Sequence, residues 1–254
     1  MAGTPRGCSG CRLGRLGFPF TMAFQPVVDL QEGRIDTHEA LVRGPKGESA
    51  ASILGQVTEA NVYAFDQACR VRAIEMAAQL GLGGDLNINF MPRAVYEPRA
   101  CIRMTLDAAL RTGFPTDRLT FEFTENEHIA EEAHILSIMQ EYRRHGFRIA
   151  LDDFGTGYSG LSRLANLRPD IIKLDRALVV DCDRDRVRLE ILRSMVAMGR
   201  GIGVKVVAEG VERLGEVEAL RSVGVRFMQG YFFARPIFEG VATLAGINWP
   251  ATAP

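Results

Sequence analysis

The chain has 254 residues, with 30 Lys+Arg against 31 Asp+Glu, a net charge of −1 and a pI of about 6.5. That balance excludes broad electrostatic capture of nucleic-acid polymers or anionic membranes, and 47% hydrophobic with 24% charged residues excludes compositional disorder. No apolar run approaches the roughly 18–20 residues that span a bilayer, and the opening MAGTPRGCSGCRLGRLG lacks the apolar core of a signal peptide, so the expectation is a soluble, cytoplasmic α/β protein.

Residues 1–18 are Gly/Arg/Cys-rich and without apolar periodicity, and they read as a flexible N-terminal arm ahead of one domain over 19–254. The arm holds the chain's one C-x-x-C, Cys8 and Cys11. A structural zinc site usually needs four ligands and a thioredoxin-like pair needs a βαβ context. An inert arm, redox or metal sensing, and assembly stay open as readings. Five cysteines, an odd number, give no secreted disulfide framework.

From Met22 onward, short apolar strands alternate with helical patterns. Strands are predicted at 22–29, 35–43, 86–90, 119–124, 148–153, 170–175, 204–209 and 226–230. Helices are predicted at 62–80, 99–112, 131–145, 184–201 and 213–222. Eight strands with interposed helices at this length predict a TIM-type (β/α)8 barrel. Only Leu30–Arg34 joins the first two strands. That is too short for a helical crossover, so they form a hairpin and the barrel has one antiparallel strand.

Side chains alternate along a strand. Phe121 and Phe123 therefore oppose Glu122 and Thr124; Leu86, Ile88 and Phe90 oppose Asn87 and Asn89; Ile172 and Leu174 oppose Lys173 and Asp175. Val206 and Ala208 oppose Val207 and Glu209, Leu151 opposes Asp152, and Glu39 shares a face with Leu41 and Arg43. With the apolar faces turned to the helices, the polar set lines the barrel and gathers near the C-terminal strand ends, where barrel enzymes place their sites. One inward carboxylate reads as a structural ion-pair partner. Glu39, Glu122, Asp152, Asp175 and Glu209 come from five separate segments and do not.

Near the mouth, Glu39, Glu122, Asp152, Asp153 and Glu209 against Lys173 leave a charge of −4. A partly desolvated pocket cannot hold that without counter-charge. Two divalent cations would neutralise it, and carboxylates with the Asn89 amide oxygen are hard ligands suited to Mg²⁺ or Mn²⁺. Paired metals about 3.5–4 Å apart are a recurrent device for phosphodiester hydrolysis, with a cation such as Lys173 orienting water or offsetting charge.

At these residues the chain resembles the EAL-domain family of cyclic di-GMP phosphodiesterases. The motifs run in order from about Phe20 to Phe238: FQPVVDL at 24–30, Glu39-Ala40-Leu41 followed by Val42-Arg43, NIN at 87–89 and FEFTE at 121–125. DDFGTGYSGL at 152–161, DIIKLD at 170–175, AEGVE at 208–212 and QGYFFARP at 229–236 follow. The resemblance implies that Glu39, Asn89, Glu122 and Asp152 hold one metal, with Asp152 bridging to a second that Asp153 also serves. It implies Lys173 as the catalytic lysine that positions the attacking water, Glu209 as the acid beside the metals, and Gln229 near that water. Gln25, Leu41 and Arg43 would contact the dinucleotide, Arg43 at a phosphate. Glu125 would steady the loop after Asp153, which in the family also carries dimer contacts. Gly44-Pro45-Lys46-Gly47 replaces a bulky aromatic and a longer insertion, and Met91 replaces a small polar residue. These departures alter the substrate rim and remove no ligand.

The function implied is hydrolysis of cyclic di-GMP to linear pGpG by a cytoplasmic homodimer with two Mg²⁺ or Mn²⁺ per site. The alternatives are a catalytically weak cyclic di-GMP receptor acting through a protein partner, and an interaction module that uses the barrel as scaffold.

Overall fold

The computed structural model describes residues 16–125, 132–157 and 160–251. The Cys8/Cys11 pair lies outside them. The chain opens with the hairpin β1 (Thr21–Asp29) and β2 (Arg34–Arg43), followed by helices α1 (Ala50–Leu54) and α2 (Val62–Gln79). Strand β3 (Asp85–Asn89) precedes α3 (Pro98–Cys101) and α4 (Arg103–Thr112), and β4 (Leu119–Thr124) precedes α5 (Glu132–Arg144). Then come β5 (Arg148–Phe154), α6 (Gly160–Leu167), β6 (Ile171–Leu174), α7 (Arg176–Val179) and α8 (Arg186–Ile202). Strand β7 (Lys205–Ala208), α9 (Leu214–Ser222), β8 (Phe227–Met228) and β9 (Ile237–Phe238) complete the order.

Strands β2 to β8 pair in sequence, and β1 closes the ring between β8 and β2, antiparallel to both. The expected barrel with one antiparallel strand is the fold. A short ninth strand, β9, pairs with β1 outside the ring. The hairpin turns where Asp29 Oδ1 accepts the N–H groups of Gln31 and Glu32, and Gly33 supplies the positive φ of 60°.

Alternation divides each strand between two environments. Outward residues, among them Phe24, Leu86, Ile88, Phe121, Phe123, Leu151, Ile172 and Leu174, form the large core beneath the helices. Inside the ring, Val27, Ala150, Ile171 and Val207 form a separate apolar layer backed by Phe227. Each of the four lies two positions from a polar residue of the mouth, respectively Gln25, Asp152, Lys173 and Glu209. Below that layer, Lys205 Nζ and the Arg226 guanidinium sit 3.9 and 5.0 Å from the Phe227 ring centroid. Asp36 pairs with Lys205 and Asp29 with Arg226. The apolar layer thus separates the polar mouth above from the ion pairs of the floor.

Several boundaries differ from the periodicity. The helix predicted at 99–112 is two segments that meet at Ile102, whose backbone stays right-handed (φ −75°, ψ −16°). Helices α1, α6 and α7 have 5, 8 and 4 residues, too short to leave a periodic signal. Strand β8 is confined to Phe227–Met228. Asp175, counted with the inward acids, belongs to a different element. The strand ends at Leu174, and the Asp175 carboxylate instead caps α7 by accepting the Ala177 N–H at 2.7 Å.

Candidate active site

Lys173 is the hub of the mouth. Its Nζ lies 2.8 Å from Glu122 Oε2, 2.8 Å from Glu209 Oε1, 3.2 Å from Asp152 Oδ1 and 3.3 Å from Glu39 Oε2. The side chain is 1% exposed, so the contacts form with little screening. Burial alone would lower the lysine pKa, but the four carboxylates outweigh it and hold the ammonium well above its usual range. It is a fixed cation.

The acids remain in excess. Burial pushes Glu122 up to about 8 and Glu209 well above a normal carboxylate, against the pull of Lys173. Asp153 rises to about 6 through burial and its neighbours Asp152 and Asp175. Two groups of oxygens converge. Glu39, Glu122 and Asp152 each offer an atom within 4.8 Å of the others, and so do Asp152, Asp153 and Glu209. Asp152 is common to both. An all-oxygen donor set with unrelieved negative charge fits hard divalent cations.

Strand register builds this convergence. In the parallel ladder Glu39 pairs with Asn87, Asn89 with Glu122, and Lys173 with Val207. Asp153 comes from an irregularity in β5, where pairing with β6 shifts between Leu151 and Phe154. Its φ of 52° is left-handed, which re-aims a side chain that simple alternation would turn outward.

Amide side chains hold these acids. Asn89 Nδ2 donates to Glu39 Oε1 at 2.8 Å, and Asn87 Nδ2 donates to Glu122 Oε1 at 2.5 Å. The motif at 87–89 contained Asn87, but its partner Glu122 lies on another strand, so its role was not readable from spacing. Gln229 Nε2 donates to Glu39 Oε2 at 2.8 Å and to Gln25 Oε1 at 3.3 Å. The buried Gln229 Oε1 has no partner among the described residues.

Two cavities flank Glu39. One, of about 400 Å³, is lined by Asn89, Asp152 and Asp153 with Leu41, Phe65 and Met91 among its apolar walls. The Met91 N–H is held by Asp66, itself paired with the buried Arg70, which fixes that wall. The other, of about 300 Å³, is lined by Gln25, Glu209, Gln229, Asp175 and Tyr231. Arg43 is not brought to the acids, since its Nη1 donates to the Val42 carbonyl at 2.7 Å. Residues 44–48 form a tight turn, with Gly47 N–H bonded to the Gly44 carbonyl.

Behind the mouth, Glu125 Oε2 accepts the Gly155 N–H at 2.8 Å, and the Glu125 N–H donates to the Asp152 carbonyl at 2.9 Å. Thr156 Oγ1 donates to the Asp153 carbonyl, and Ser159 lies outside the described residues.

The class so defined is a TIM-type barrel with carboxylate oxygens gathered around a buried lysine at its C-terminal mouth. The EAL domain model matches residues 18–236, and the chain belongs to the EAL-domain family. A standalone versatile EAL protein from Vibrio cholerae O395, in its c-di-GMP bound form, is 46% identical with a TM-score of 0.88; the match covers 92% of this chain and 98% of that one. Klebsiella pneumoniae BlrP1, as a manganese/c-di-GMP complex, is 36% identical with a TM-score of 0.84, over 89% of this chain and 58% of the other. The cyclic di-GMP phosphodiesterase NbdA of Pseudomonas aeruginosa is 30% identical over 227 residues, which is 84% of this chain and 28% of NbdA. The chain spans 26% to 56% of the length of the first curated relatives it matches. Among the described residues no helix is long and apolar enough to cross a membrane.

Proposed function

We propose that the chain is a metal-dependent phosphodiesterase that opens one ester of cyclic di-GMP, adding water to give linear pGpG. The observation that carries this reading is Asp152, shared between two groups of converging oxygens around one buried lysine. Glu39, Asn89, Glu122 and Asp152 would hold one divalent ion, and Asp152 with Asp153 the second, Mg²⁺ or Mn²⁺ in either place. Bound there, such ions supply charge stabilisation on the phosphoryl oxygens and a water of lowered pKa.

The protein's own groups supply position. Lys173 stays protonated, so it orients the attacking water and offsets negative charge as a donor, not as a base. Glu209, at 2.8 Å from Nζ, fixes the direction of that ammonium. Gln229 Oε1, buried and without a partner among the described residues, would accept a hydrogen bond from the same water. Leu41 and Gln25 line the two cavities beside Glu39, matching the two halves of a dinucleotide. Arg43 would exchange the Val42 carbonyl for a phosphate. Glu125 acts by holding the loop that carries Asp153.

The same reading takes the protein as a cytoplasmic homodimer. Exposed Leu161, Val187 and Ile191 beside Gly155, Gly157 and Gly160 support an apolar contact there. Chromatography of the purified protein with cyclic di-GMP and Mn²⁺, repeated with EDTA, tests the activity. Metal-dependent pGpG supports it, and Glu39→Ala or Asp152→Ala should abolish the product. Tight binding without turnover would make the chain a receptor instead.

A further inference from the structure

Two asparagines stand on the inner face of β3 and serve different acids. Asn89 reaches Glu39. Asn87, two positions deeper, donates to Glu122 Oε1 at 2.5 Å while its own Oδ1 accepts from Thr37 Oγ1 at 3.1 Å. Thr37, Asn87 and Glu122 are 4%, 3% and 0% exposed, so these atoms are shielded from bulk solvent. The register that pairs Glu39 with Asn87 puts Thr37 one inward step below Glu39, within reach of the amide.

We propose that Asn87, held by Thr37, positions Glu122 to offer a cation one oxygen and not two, and so sets the centre's preference for a small octahedral ion over calcium. The inference rests on the metal-centre reading above. A ligating carboxylate is deprotonated and can only accept hydrogen bonds. Asn87 must therefore present its NH₂ to Glu122 and its carbonyl to Thr37; the flipped amide would set two acceptors 2.5 Å apart. Thr37 can satisfy that arrangement because its hydroxyl donates.

The two Glu122 oxygens are thereby separated. Oε2 faces Lys173 at 2.8 Å, in the space where Glu39, Asp152 and Glu209 also meet the ammonium. Oε1 is turned the other way, into the Asn87 amide. A chelating Glu122 would have to turn Oε1 off Asn87 and leave a buried N–H without an acceptor, which is unfavourable. Calcium takes six to eight oxygens and often binds carboxylates through both, whereas Mg²⁺ demands near-ideal six-coordination. The Asn87–Thr37 pair penalises the first mode and preserves the second.

Calorimetric titration of Mn²⁺ and of Ca²⁺, without substrate, into wild type, Asn87→Ala, Thr37→Val and Thr37→Ser tests this. The ratio of the Ca²⁺ to the Mn²⁺ Kd should fall about tenfold in Asn87→Ala, the scale for losing a residue that orients a ligand. It should fall less in Thr37→Val and stay at the wild-type value in Thr37→Ser, which keeps the donor hydroxyl. Equal weakening of both ions, or an unchanged ratio in Asn87→Ala and Thr37→Val, overturns the inference and leaves the metal centre standing. Should Asn87→Ala not fold, the Thr37→Val and Thr37→Ser pair decides by the same ratio. A wild type that binds no Mn²⁺ overturns the metal centre and this inference together.

Discussion

Gly155 donates its backbone N–H to Glu125 Oε2 at 2.8 Å, which fastens the segment leaving β5 to the end of β4. Gly155 has a φ of 100°, a conformation that favours glycine, and an added Cβ would displace the Leu178 side chain, whose Cδ1 would lie 2.4 Å away. One carboxylate thus holds the segment that presents Asp153.

Glu125→Ala should therefore lower turnover by roughly tenfold or more, the range for residues that orient ligands. Hydrogen exchange should quicken across Asp153–Gly157, and Mn²⁺ affinity should fall. Activity lost with exchange and metal affinity both unchanged would reject the positioning role.

Lys173→Ala should lose roughly 10²–10⁴ in rate while cyclic di-GMP still binds in the presence of Mn²⁺. Lys173 pairs with four acids, so its loss leaves buried charge without a partner, a change that costs about 3–5 kcal/mol in comparable pairs. The metal-free variant should melt well below wild type, and Mn²⁺ should raise its Tm by more than it raises the wild type's. Equal Mn²⁺ shifts in thermal scans would contradict this role for the ammonium.

Asp153→Gly should relieve the left-handed backbone at φ 52° and stabilise the metal-free protein by about 1 kcal/mol, or a few degrees in Tm. The same change should reduce Mn²⁺ stoichiometry from two to one and abolish hydrolysis. Calorimetry that still finds two ions would show that Asp153 is not a ligand.

The floor of the barrel has its own pH dependence. Burial raises the Asp29 pKa, but hydrogen bonds from Arg226 Nε and Nη2 at 2.7 and 2.6 Å and from two backbone N–H groups outweigh it, and the net shift is downward. A depressed carboxylate contributes stability that is present above its unfolded value of about 3.9 and is lost as pH falls through the lower folded value. Asp29→Asn should cost about 1–3 kcal/mol at pH 7 and progressively less as acid protonates the wild type. Urea denaturation at pH 7 and below pH 4 measures the difference; a pH-independent gap would exclude the linkage.

Alternation made most of the mouth readable. Glu122, Asp152, Lys173 and Glu209 each oppose apolar residues on their strands, and the structure turns all four inward to one point. The hairpin followed from the length of Leu30–Arg34. Asp175 failed because alternation holds only while the strand lasts, and the strand stops one residue earlier. Asp153 was counted among the mouth acids, but its left-handed backbone was not legible, because the register shift depends on pairing with β6. The Asn87–Glu122 bond joins residues on different strands, which a single sequence does not place side by side.

Strand β1 is bonded on one side to β2 and on the other to β8, with Val28 opposite Met228. During synthesis its first partner emerges almost at once, while the second waits for nearly the whole domain. Closing so long a loop costs entropy before any contact repays it. Until then the half-built sheet has two open edges, and Gln229 is not yet beside Glu39. A chain cut before β8 therefore leaves β1 with an open edge and Glu39 without its Gln229 contact: one late strand both closes the ring and finishes the mouth.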